Sequence, residues 1–245
     1  VIAYSGNTGG SGGPHLHFEI RDNQERPINP MLFGINTKDT KPPLVLGAYA
    51  YTRDPEASVN GETGRIPLRL IPKGNGSYDV ENIEAFGTIG FGVVSYDRQD
   101  YAPNKNGVSK IQSFFNGNKS LEIDFKRFSF AESKHIKRLI DYEYYKTKKS
   151  RIQKLFIEKN NPLSLYKDAY DNGYVKVEDS TASVYRIRIL DFQGNESWVN
   201  IPIVGKKMNL EQKPYVAEFE KALLKADEAT TLESGNVSVN FYKNT

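Results

Sequence analysis

The sequence predicts a mainly β protein, on three observations. Short runs along the chain alternate apolar and polar residues with a period of two, the pattern of strands buried on one face. Clusters of Gly, Pro, Asn and Asp separate these runs, as turns do in an antiparallel sandwich. Helical spacing, by contrast, governs one interior segment near 130–142. The expected architecture is an antiparallel β-sandwich with a short helical insertion, preceded by a glycine-rich segment and followed by a tail.

The first element grows out of a glycine run. Gly6, Gly9, Gly10, Gly12 and Gly13 precede Pro14, and such a run lets backbone approach a ligand or a neighbouring strand closely. Beyond it a half-buried strand is expected, with Phe18 and Ile20 in opposite register to Glu19 and Arg21. On a strand His15 and His17 share a face, about 7 Å apart at roughly 3.3 Å per residue, while Leu16 points the other way. Two imidazoles so placed can address one bound ion or its water. They are two of the chain's three histidines. Residues 37–43 read as a linker, because the polar stretch from Asn36 to Pro43 holds two prolines and no apolar period.

Residues 44–205 carry the sandwich pattern. Leu44 to Tyr51 and Ile66 to Ile71 are the first runs. Ile89, Phe91 and Val93 then alternate on one face, and Leu121 to Phe125 alternates with Glu122 and Asp124 turned to solvent. Ser129 and Glu132 have the spacing of a capping box, and Ile136, Leu139 and Ile140 follow at helical spacing. Tyr142, Tyr144 and Tyr145 are expected to pack this insertion onto the sandwich, although aromatic faces also suit sugar rings. The basic stretch Lys146 to Arg151 reads as a solvated helix end. Tyr185, Ile187 and Ile189 alternate with Arg186 and Arg188, and Val199, Ile201 and Ile203 repeat the pattern after a turn. In that turn Asp191 can bond its own amides, while Gly194 and Asn195 tolerate left-handed backbone. The D-x-x-G-N turn resembles the last hairpin of bacterial immunoglobulin-like domains. Residues 206–245 are expected to be a helical tail or the start of a further domain, with a helix-prone piece at 218–227 and a strand from Val237 to Tyr242.

Two oxygen-rich loops invite comparison with calcium sites: Asp97, Asp100, Asn104 and Asn106 closing on Gly107, and Asp168, Asp171 and Asn172 before Gly173. Neither has EF-hand spacing, and side-chain-stabilised turns account for both. His135, in a basic amphipathic context, reads as a solvated helix residue. Composition narrows the classes further. With 33 basic against 30 acidic residues, the charge is too balanced to point to nucleic acid. No run of eighteen apolar residues is present, so no membrane-spanning helix is expected. The absence of cysteine excludes disulfides and thiol catalysis. Walker, dinucleotide and serine-elbow motifs are also missing.

The N-terminal motif goes further than its spacing. Gly6, Thr8, Gly9, Ser11, Gly13, Pro14, His15, Leu16, His17, Phe18 and Glu19, followed by Pro27, Asn29 and Pro30, resemble the C-terminal signature of lysostaphin-type zinc metalloendopeptidases. That signature reads G-x-T-G-x-S-x-G-P-H-L-H-F-E with a later P-x-N-P turn; Gly12 stands where Thr is common. The resemblance covers about residues 1–35. It implies that residues 1–36 are the C-terminal piece of a β-rich zinc peptidase domain, ahead of the immunoglobulin-like sandwich. It further implies an exported protein of the bacterial periplasm or cell envelope, whose partner is a peptidoglycan peptide. By the same resemblance His17 is a zinc ligand, and His15 is a catalytic residue that supports charge in the transition state of amide hydrolysis. The family's other His and Asp ligands fall before Val1, so this chain alone is expected to be inactive. The alternative expectation is a non-catalytic envelope-binding or assembly module that carries a degenerate peptidase remnant.

Overall fold

The computed structural model describes residues 4–7, 10, 12–35, 37–208, 227–234 and 237–242. Val1–Met208 forms one compact unit and Asn209–Thr245 a second. The fold is mainly β, as the alternating runs predict. Nine strands dominate the first unit: β1 (Leu44–Thr52), β2 (Arg65–Leu68), β3 (Leu70–Gly74), β4 (Ser77–Val80), β5 (Ile83–Tyr96), β6 (Lys110–Phe115), β7 (Asn118–Asp124), β8 (Ala182–Leu190) and β9 (Glu196–Gly205). Seven of them are hydrogen-bonded in the order β7-β6-β8-β9-β5-β1-β2, while β3 pairs with β4 and β4 with β9.

The long strand β5 links the two layers of the sandwich. Its first residues, Ile83 to Ala85, run beside Ile203 to Gly205 of β9, whereas its remainder pairs with β1 from Thr52↔Ile89 to Leu44↔Tyr96. A strand that changes partners midway must curl, and the right-handed twist of sheets favours this. Two pairings depart from the antiparallel expectation. Both β4 and the start of β5 lie parallel to β9, because these two segments run one after the other along the same edge.

Period-two alternation places the core correctly. Ile89, Phe91 and Val93 are fully buried, as are Ile111, Ile123, Tyr185, Ile187, Ile189, Val199 and Ile201. Phe91 and Tyr185 stack across the layers with ring centroids 4.1 Å apart. The outer face of β5 is covered as well. A Cβ on Gly90 would stand 2.4 Å from the Phe156 ring, and one on Gly92 would stand 2.7 Å from Ile152. Glycine there admits a second layer of chain over the strand.

Three expectations are corrected. The run from Ile66 to Ile71 is two strands, since the chain breaks at Arg69: β2 pairs with β1 and β3 with β4. The helical insertion is not one helix from a capping box. Phe130–His135 is a 3-10 turn, α1 spans Ile136–Leu139 and α2 spans Tyr142–Lys148. The Ser129 side chain caps nothing, and Glu132 instead accepts from the amide and hydroxyl of Ser164, each at 2.9 Å. Between the helices Ile140 pairs with Gln153, so a strand contact interrupts the helical path.

Glu122 is the third correction. It is buried rather than turned to solvent, accepting from Gln112 Nε2 at 2.6 Å and pairing with Lys110 and Lys119 at 3.0 and 3.2 Å. Burial opposes its charge, but these three donors outweigh it and hold the carboxyl at about 2 against an ordinary 4.5. A depressed folded pKa stabilises the fold above the unfolded value, and the benefit vanishes as pH falls through the folded one. Wild-type protein should therefore be more stable than E122Q at neutral pH, with the gap closing between pH 4.5 and 2. Acid unfolding followed by circular dichroism checks this; a gap that stays constant over that window contradicts the assignment.

In the second unit Thr230–Ser234 (β10) pairs antiparallel with Val237–Phe241 (β11), and the latter is the strand expected there. The helix-prone piece at 218–227 lies, apart from Asp227, outside the described residues. No helix among the described residues is long and apolar enough to cross a membrane.

Candidate functional site

The glycine run returns the chain on itself ahead of the two histidines. The His15 amide donates to Gly6 O at 3.1 Å, and its ring Nδ1 lies 3.0 Å from Gly13 O. Since a carbonyl can only accept, Nδ1 is the donor in this contact. His17 Nε2 is 3.8 Å from Glu19 Oε2. Glu19 also accepts from Arg21 Nε at 2.8 Å, a bond that lowers its pKa, and the Arg21 guanidinium lies 5.1 Å over the Phe130 ring.

The strand expected from His15 onward is shorter than the alternation suggests. His15 makes a single bridge to Gly6, residues 16–19 join no ladder, and only Ile20–Arg21 pairs, with Pro27–Ile28. Among the described residues no neighbouring strand lies alongside 16–19, and a period of two needs such a partner to become a strand. Both histidines are exposed. Leu16 and Phe18 are exposed too, at 59% and 62%.

Past this point the turn residues have local roles. Asp22 closes the turn by accepting from the amides of Gln24 and Arg26 and from Arg26 Nε at 2.7 Å. The Arg26 bond, with the turn amides behind it, holds its carboxyl near 2. Asn29 caps a 3-10 turn over Pro30–Phe33, accepting from the Met31 amide at 3.0 Å. Pro30 occupies the first position, where its missing N–H loses nothing, and Gly34 ends the turn at φ 82°. The segment is attached to the strand end at β7 through Asn29 N–H to Lys126 O at 2.8 Å and the Arg127–Asp22 pair at 3.3 Å.

The remaining singled-out residues lie elsewhere. His135 ends the 3-10 turn at Phe130–His135, half-buried. Tyr144 packs against Tyr49 at 5.6 Å and shares a hydroxyl hydrogen bond with it, so it is a packing residue, as expected. Asp97 and Asn106 exchange backbone hydrogen bonds across their loop. The Asp168 carboxylate pairs with Lys119 at 2.9 Å. Asp191 accepts from the amides of Gly194 and Asn195 at 2.7 and 2.9 Å, as its turn position predicts. The linker residue Asp39 was not legible as a site residue, because an aspartate in a polar linker has no periodic or spacing signal.

Zinc catalysis asks for three protein ligands and an open position. Among the described residues, the one group of three His, Cys, Asp or Glu donor atoms close enough to share an ion is Asp39, Asp97 and Asp191, which contains no histidine. His15 and His17 therefore do not belong to a complete zinc site within these residues. Compared with protein-family models, curated proteins and solved structures, the chain finds no match.

Proposed function

We propose that this chain is part of an exported bacterial zinc metalloendopeptidase of the lysostaphin type, acting on peptidoglycan peptide cross-links in the periplasm or cell envelope. The observation that carries this reading is the unbroken motif from Gly6 to Glu19 followed by Pro27, Asn29 and Pro30. The exposure of Leu16 and Phe18 supports it, since apolar side chains beside the two histidines are what a strand from a larger domain would present. In this reading His17 is a metal ligand and His15 stands beside the metal. The other zinc ligands come from residues outside this sequence, and this chain alone does not hydrolyse peptides. A second reading rests on the incomplete donor set: a non-catalytic envelope-binding or assembly module built around a peptidase remnant.

Metal content and cleavage of purified peptidoglycan, measured on the complete gene product, separate the two. His17→Ala should lose both zinc and cleavage, because one of three metal bonds is gone. His15→Ala should keep its zinc and lose roughly 10²–10³ in rate, the effect of removing one group that stabilises developing charge. Zinc lost from the His15 variant and kept by the His17 variant would reverse the two roles. A wild-type protein with neither zinc nor cleavage would favour the non-catalytic module.

A further inference from the structure

Three stretches far apart in sequence meet ahead of β1. The linker is tied to the sandwich by polar bonds: Asp100 N–H to Lys38 O at 3.1 Å, Thr40 Oγ1 to Asp100 Oδ2 at 3.0 Å, Gln193 Nε2 to Thr37 O at 3.0 Å and Asn195 Nδ2 to Asp39 O at 3.2 Å. This arrangement gathers the carboxylates of Asp39, Asp97 and Asp191, with one oxygen of each within 4.8 Å of the other two. Asp97 and Asp191 are 5% and 4% exposed.

The hydrogen bonds of the Asp191 turn account for its carboxylate, whereas only the Arg98 amide and the Asp39 carboxyl bond that of Asp97. Its Oδ1 is buried and accepts no hydrogen bond, although buried acceptors are nearly always satisfied. No described lysine or arginine forms an ion pair with any of the three. Like charges in a poorly solvated site repel strongly unless a proton or a cation sits among them.

We propose that Asp39, Asp97 and Asp191 form a calcium site that clamps the linker to the sandwich. The donor set is all oxygen, which suits a hard cation. Opposite ligands of one calcium ion stand about 5 Å apart, from Ca–O distances of roughly 2.3–2.6 Å, and the observed spread falls within that span. Calcium accepts the irregular geometry that one carboxylate from each of three loops provides, and water completes its shell. Magnesium demands a tighter octahedron at about 2.1 Å and keeps most of its own water. Zinc prefers imidazole and thiolate, and this site has neither.

The test uses the whole chain, stripped with a chelator and titrated with calcium chloride by calorimetry and by thermal unfolding. One calcium should bind per chain, and at hundredfold excess over Kd the melting temperature should rise by roughly 5–10 °C. Asp97→Asn should abolish the rise, yet melt at or above wild type without calcium, since it removes a buried repelling charge. Asp39→Asn, in the half-buried linker, should weaken binding at least about tenfold with little change in the calcium-free melt. No binding heat and no shift at millimolar calcium would overturn the proposal. So would an equal shift with magnesium, or a full calcium response in both variants.

Discussion

Replacing Phe91 with alanine should destabilise the first unit by about 3–5 kcal/mol, the range for deleting a buried aromatic ring. Phe91 is fully buried at the centre of β5, and its ring stacks on that of Tyr185. The site has little room to collapse, because both faces of the strand are covered: the core lies on one side, and Ile152 and Phe156 press on Gly92 and Gly90 on the other. The hole should therefore persist, and the cavity cost adds to the lost burial. Urea unfolding of the variant checks this. A loss below about 1.5 kcal/mol would mean that β5 is not the shared centre of the two layers.

The second large effect is expected at Asp141. This residue is buried, and four bonds converge on it. Its Oδ2 accepts from Tyr51 Oη at 2.9 Å and Arg65 Nη1 at 2.8 Å; its Oδ1 caps α2 through the Tyr144 amide at 2.9 Å; its own amide donates to Ile152 O at 2.9 Å. Burial disfavours the charge, but the Tyr144 amide, Arg65 and Tyr51 together hold the carboxyl below its usual value. Asp141→Ala removes the cap and leaves the Arg65 guanidinium without its partner in a half-buried position. Breaking a buried pair costs about 3–5 kcal/mol and losing a cap about 1, while partial exposure of Arg65 reduces the first figure. A loss of about 3 kcal/mol is expected. Asp141→Asn keeps a capping oxygen and should lose roughly half as much. Equal losses in the two variants would show that the charge contributes everything and the cap nothing.

The turn that follows the N-terminal motif was legible because its residues answer to local demands. Asn29, Pro30 and Gly34 start and end a turn by rules that reach only a few residues along the chain. What lies beside His15 and His17 depends on neighbouring chain, so alternation alone predicted a longer strand than the one that forms. The candidate calcium site was illegible for the same reason. Asp97 and Asp191 each read as turn residues, and both do serve their turns. Their meeting with Asp39 depends on how the linker crosses two loops.

The sequence by itself determined most of the long strands, the core faces of those that carry Phe91, Ile187 and Ile201, and the hairpin at Asp191. Period-two alternation and turn chemistry are local, and burying one face of a strand is most of what selects it. Tertiary structure decided the rest. It buried Glu122 among Lys110, Lys119 and Gln112, which come from different strands or different registers. It laid Ile152 and Phe156 over the glycines of β5, and it brought the carboxylates of residues 39, 97 and 191 within reach of one ion. These are long-range pairings. Side chains that meet across a fold leave no period in the sequence, because the distance between them along the chain is set by loops and not by the repeat of any element.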